Sequence, residues 1–130
     1  MSVSFTKVRK DSTYSRNTLA RLWGYSSFHA IARGVVTPAH DNKIILFVTE
    51  EKQEAAEPYQ DKLFGHVLTW EGPTDHFAEN RMINADLSGE EVHLFYRRRH
   101  HTDFTYYGRL KLMAHTRRAG RPSQFTFEVR

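Results

Sequence analysis

Apolar residues are grouped in short runs separated by polar turns, a pattern that predicts strands more often than helices. Ile44 to Thr49 is continuously apolar and β-branched, so it is expected to form a central strand buried on both faces. Ala30 to Pro38 predicts a strand interrupted by Gly34, and the His40–Asn42 turn separates it from the central run. Further strands are predicted at His66–Trp70, Glu91–Arg98, Phe104–Ala114 and Gln124–Val129. Helical spacing is confined to Tyr14–Tyr25. There Ser15 is placed to cap, Tyr14 and Leu19 stand at staple spacing, Leu19, Leu22 and Trp23 share a face, and Gly24 closes the segment. This helix is expected to plug an open edge or end of a sheet. His76–Leu87 fits either a short helix or an irregular excursion.

About six clustered strands with one or two short helices give the expected class: α+β, a small, mostly antiparallel curled sheet or barrel. No crossover helices of the kind a doubly wound α/β fold needs are seen. The chain of 130 residues suits one domain with a single sizeable core.

Composition narrows the chemistry. With no Cys, disulfides, Cys-ligated zinc and cysteine nucleophiles are excluded. No apolar run approaches the roughly 20 residues of a membrane span, and the first residues lack the apolar stretch of a secretory signal, so a cytoplasmic location is expected. The net charge is +4, distributed unevenly: twelve of the fifteen acids lie between Asp41 and Glu91, whereas Phe95–Arg130 carries nine Lys or Arg against Asp103 and Glu128. A one-sided basic segment suits either a polyanion partner or a solvated face.

Asp41, Glu50 and Lys52 superficially match the acidic and lysine signature of a metal-dependent nuclease. They flank one predicted strand, however, whose length of roughly 30 Å keeps Asp41 and Glu50 too far apart to share a metal. His100 and His101 follow Arg97, Arg98 and Arg99. Adjacent strand residues point to opposite faces, so a hairpin tip contacting phosphates fits this block better than a metal site. Phosphate contacts are therefore assigned to Arg97, Arg98, Arg99, His100, Arg117 and Arg118. A G-x-S-x-G nucleophile elbow is missing. No catalytic residue, metal or cofactor is assigned.

The aromatic residues divide by position. Phe47, Phe95, Phe104, Phe125 and Phe127 fall inside strands and are expected in the core, while Tyr25, Tyr59, Trp70 and Tyr107 fall at segment ends or loops. Glu71-Gly72-Pro73 turns the chain sharply beside the Trp70 indole, leaving room for a planar group to stack. An extruded base is read in this way, by rings and by hydrogen bonds to its Watson–Crick edge. Asp61 is placed to accept from an exocyclic amine such as cytosine N4.

The pattern Y-x-D-x-x-x-G-x-x-L-x-W-x-G at Tyr59–Gly72, V-H-L-F at Val92–Phe95, D-F-T-Y-Y-G at Asp103–Gly108 and the opening Y-S-R-N-T-L-A-R-L-W-G from Tyr14 resemble a module of bacterial modification-dependent (type IV) restriction proteins. That module is SRA-like, of the PUA-like β-barrel type, and is fused to HNH or phospholipase-D-like nuclease and helicase domains. The resemblance covers about Tyr14–Leu112. It implies a reader of double-stranded DNA carrying 5-methylcytosine or 5-hydroxymethylcytosine, which flips the base into an aromatic pocket. The pocket would comprise Tyr59, Asp61, Trp70, Gly72 and Tyr25. A nuclease domain in cis or in trans would then act on the recognised site, and the end of the chain just after the FTFEV strand fits a domain excised from a longer protein. Where many relatives continue W-x-G with Lys and Ser, this chain has Pro73-Thr74-Asp75-His76, so the loop beside the pocket differs. The competing expectations are an RNA-binding PUA-like domain, a metal-dependent nuclease or small hydrolase, and a protein-interaction domain.

Overall fold

A computed structural model describes residues 3–51 and 61–130. Among the described residues, eight strands form one mixed sheet, flanked by three short helices and a 3-10 turn. The strands are β1 (Thr13–Tyr14), β2 (Val35–Val36), β3 (Lys43–Thr49), β4 (Lys62–Phe64), β5 (Val67–Glu71), β6 (Glu91–Arg97), β7 (Phe104–Thr116) and β8 (Gln124–Val129). The helices are α1 (Arg16–Leu22), α2 (Glu79–Ile83) and α3 (Ala85–Ser88). Strand order is β2-β3-β6-β7-β8-β5-β4, with β1 pairing β7. The pairings are antiparallel except for β3 with β6, which run parallel from Lys43 opposite Glu91 to Thr49 opposite Arg97. The sheet is curled but does not close, so the barrel expectation gives way to an open sheet with β2 and β4 at its edges.

The central apolar run behaves as its sequence dictates. In β3, Ile44, Leu46 and Val48 point to one core cluster while Ile45 and Phe47 point to the other. Strand β6 repeats the division, with Val92, Leu94 and Tyr96 on the first side and Phe95 on the second. Continuous hydrophobicity is required because both faces are covered. Helices α2 and α3 cover the first face through Met82 and Ala85. The second is covered by α1, through Leu19, Ala20 and Trp23.

Helix α1 thus lies across a sheet face instead of plugging an edge. The Ser15 hydroxyl caps it by accepting from the Thr18 N–H at 3.1 Å, and Gly24, at φ 80°, ends it. Leu22 is the exception to the predicted face: it is exposed, one step round from Leu19 and Trp23. The predicted strand Ala30–Pro38 shrinks to β2, because Ser27 caps a 3-10 turn over Phe28–Ile31 that consumes its first residues. The stretch following Asp61 contributes an unforeseen edge strand, β4, joined to β5 through Gly65 at φ 60°. Curvature comes from β7, where Leu94 pairs with Gly108 but Phe95 pairs with Tyr106, so Tyr107 is an extra residue and the ladder bends at Gly108, φ 98°.

Candidate functional site

Residues at the ends of β3 and β5 and in the turn Gly72–Phe77 come together around one hollow, although the two strands run in opposite directions through the sheet. The result is a cavity of about 610 Å³. Trp70 and Phe77 supply aromatic surface, and Asp61, Glu71 and Asp75 supply carboxylates. Arg33, His100, Thr49, Glu51 and Thr74 add to the polar lining. Four residues singled out from the sequence, Asp61, Trp70, Gly72 and His100, therefore meet in one cavity although they come from three segments.

Each is fixed by a definable contact. Trp70 is only 5% exposed and packs on Phe125 and Phe127, ring centroids 5.6 and 6.2 Å away. Its indole is part of the core as well as part of the wall. Asp61 Oδ1 accepts the Glu71 N–H at 2.9 Å, which ties the start of β4 to the end of β5. The Glu71 carboxylate lies 3.5 Å from the Arg118 guanidinium. A Cβ on Gly72 would stand 3.2 Å from the Phe125 ring and 3.7 Å from Trp70, so the bare backbone is what lets the turn approach these rings. Asp75 Oδ1 accepts the Phe77 N–H at 3.1 Å, and the Arg33 guanidinium lies 5.1 Å from the Phe77 ring centroid. Nε2 of His100 is buried without a hydrogen-bond partner among the described residues.

Other assignments separate from this cavity. Tyr25 does not join it: the chain leaves α1 there, the Tyr25 N–H bonds to the Ala20 carbonyl, and the side chain borders a second cavity with Arg21 and Phe28. Tyr59 and Lys52 lie outside the described residues. Asp41 and Glu50 stand at opposite ends of β3, where Asp41 accepts the Val3 and Asn42 N–H groups and Glu50 bonds its own N–H to the Arg97 carbonyl. These backbone bonds and Lys43 hold the Asp41 carboxyl below the usual carboxylate range against the opposing effect of burial, which is the largest single influence. Among the described residues there is no cluster of three metal-ligating side chains.

The basic residues fall into two kinds. Arg98 and Arg99 are exposed at the β6–β7 tip, as a phosphate contact requires. Arg97 is half-buried: Nε donates to Thr49 Oγ1 at 2.8 Å, Nη1 donates to the Thr102 carbonyl at 3.0 Å, and the guanidinium lies 4.2 Å from the Phe104 ring centroid. Arg117 is exposed but pairs with Glu79 at 3.7 Å, and Arg118 is half-buried beside Glu71. These two are already engaged with carboxylates.

A buried polar knot that sequence reasoning missed lies outside the cavity and anchors the turn that lines it. Ser123 is fully buried; its hydroxyl donates to Glu79 Oε1 at 3.1 Å and accepts the Arg118 N–H at 3.2 Å. His76 Nδ1 contacts Glu79 Oε2 and lies 3.4 Å from the Ser123 hydroxyl. One nitrogen faces both partners, so the ring cannot relay a proton between them as a hydrolytic triad does. The knot instead fastens the loop 118–123 to the turn 76–79, where His76 and Ala78 are held at φ 60° and 63°. These are strained conformations for side-chain-bearing residues. The only sequence signal was Pro122-Ser123 before the last strand.

Compared with known proteins, the chain matches no family, and no curated sequence is similar to it.

Proposed function

We propose that this chain is a DNA-binding module that recognises a modified base, 5-methylcytosine or 5-hydroxymethylcytosine, extruded from double-stranded DNA into the cavity at Trp70. One observation carries the reading: Asp61, Trp70, Gly72 and His100, chosen for base recognition and phosphate contact, border a single cavity of about 610 Å³. That size lies within the roughly 300–1,000 Å³ of small-ligand pockets. Phe77 provides stacking surface beside the wall formed by Trp70, and the carboxylates of Asp61 and Glu71 accept hydrogen bonds from an exocyclic amine. Arg98 and Arg99, exposed at the β6–β7 tip, hold the phosphate backbone. A separate nuclease domain, in cis or in trans, acts on the recognised site.

Equilibrium binding to four duplexes tests this, the duplexes differing at one position: cytosine, 5-methylcytosine, 5-hydroxymethylcytosine or N6-methyladenine. A preference of about tenfold or more for one modified-cytosine duplex at physiological salt is expected, a step worth about 1.4 kcal/mol. Equal affinity for all four would sink the reading. Incubation with plasmid and Mg²⁺ or Mn²⁺ should give no cleavage by this chain alone.

A further inference from the structure

Among the described residues, four arginines have a carboxylate partner: Arg81 with Glu90, Arg117 with Glu79, Arg118 with Glu71 and Arg130 with Asp86. Arg16 and Arg97 are partly buried, yet neither forms an ion pair among the described residues. Instead they share an aromatic ring. The Arg16 guanidinium lies 4.8 Å from the Phe47 centroid and 5.0 Å from that of Phe104, over which Arg97 also sits at 4.2 Å. Burial and then the nearby Arg97 charge lower the Arg16 pKa to about 10, and burial lowers that of Arg97. Gathering two desolvated like charges is unfavourable unless an anion joins them.

Both side chains are held in place while keeping a donor available. Arg16 Nε donates to the Ile31 carbonyl at 3.1 Å and Nη2 to that of Arg33 at 3.5 Å, while Arg97 uses Nε and Nη1 on Thr49 and Thr102. That leaves Nη1 of Arg16 and Nη2 of Arg97 without a protein acceptor among the described residues. Neither is sealed from solvent, unlike His100 Nε2. The residues that fasten the pair, Arg33 and Thr49, also line the cavity. An anion bound here therefore adjoins whatever occupies the cavity.

We infer that Arg16 and Arg97 form a phosphate subsite against Phe104, which takes the backbone phosphate next to the nucleotide whose base enters the cavity. The guanidinium donors match phosphate oxygens, and the aromatic floor keeps both cations oriented. Identifying the phosphate as one from DNA rests on the proposed function; the affinity of the pair for phosphate does not.

The test has two arms. In the first, inorganic phosphate is titrated against chloride at matched ionic strength while the arginine Nε–H NMR resonances of the full chain are followed. Saturating shifts of Arg16 and Arg97 together are expected, abolished in Arg16→Gln and weakened about fivefold or more in Arg97→Lys, which keeps the charge but loses the fork. Unmoved Arg16 and Arg97 resonances, or undiminished phosphate binding in a folded variant, would overturn the subsite. Should Arg16→Gln fail to fold, Arg97→Lys decides alone. In the second arm, both variants are titrated with the preferred modified duplex. Weaker binding is expected for both, with a slope of log affinity against log salt shallower by about 1 in Arg16→Gln and unchanged in Arg97→Lys, which keeps its charge. Unchanged affinity and slope would overturn the subsite while leaving the reader intact. Phosphate binding at the pair in a chain without modified-base preference would do the reverse.

Discussion

His93 is bonded through both ring nitrogens, Nδ1 to the Tyr106 hydroxyl at 2.7 Å and Nε2 to Glu91 at 2.9 Å, with Phe5 stacked on its face at 3.8 Å. Burial, helped by Arg109 and Lys43, lowers its pKa against the opposing pull of Glu91. The Glu91 pKa is lowered too, chiefly by its bond to His93. For both groups the unfolded chain binds protons more readily, so their stabilisation is present above the unfolded pKa and lost as pH falls through the window below it. Denaturant midpoints are therefore expected to be lower at pH 5.5 than at 7.5, with His93→Gln reducing the difference. A pH-independent wild type would refute this. At Trp70, truncation to Ala removes a buried indole and is expected to cost about 3–5 kcal/mol, seen as a lower urea midpoint. Asp61→Asn is the cleaner probe of recognition, because its side-chain oxygen still accepts the Glu71 N–H. It should lower affinity for the modified duplex about tenfold while nonspecific binding persists. The turn after Trp70 was legible in Gly72-Pro73, whereas the burial of its indole against Phe125 and Phe127 and the separation of Tyr25 from the cavity were not, since only tertiary packing decides which segments meet.

Among the elements, those with strong local signals were the most readable. The cap at Ser15, the stop at Gly24 and the apolar run of β3 all act through neighbours in sequence. Edge strands β2 and β4 carry too few residues for a period to emerge, and their pairing is imposed by β3 and β5. The knot at Ser123 was invisible for a related reason: its partners, His76 and Glu79, lie more than forty positions away. Ser123→Ala removes a donor to buried Glu79 and an acceptor for Arg118, at an expected cost of roughly 1–3 kcal/mol. Because the knot holds the turn bordering the cavity, the same variant should also weaken modified-duplex binding. Loss of stability without loss of preference would place the knot outside recognition.

At the scale of the molecule, exposed Arg98 and Arg99 carry charge away from the cavity's carboxylates. Replacing both by Gln is expected to flatten the salt dependence of DNA binding by a slope of about 2 and to weaken all duplexes alike. A selective loss of the modified duplex would contradict their assignment to the backbone. The overall class was readable from clustered strands, but strand order was not, because residue periodicity gives which face a residue takes and not which strand lies beside it. The parallel pairing of β3 with β6 has a kinetic consequence. Thr49 and Arg97 are 48 positions apart, so the two most buried strands meet only after a long loop has closed. The β4–β5 hairpin within that loop needs only a two-residue turn and can form early. Refolding should consequently take milliseconds to seconds in stopped-flow mixing, with the central pair rather than the hairpin setting the rate.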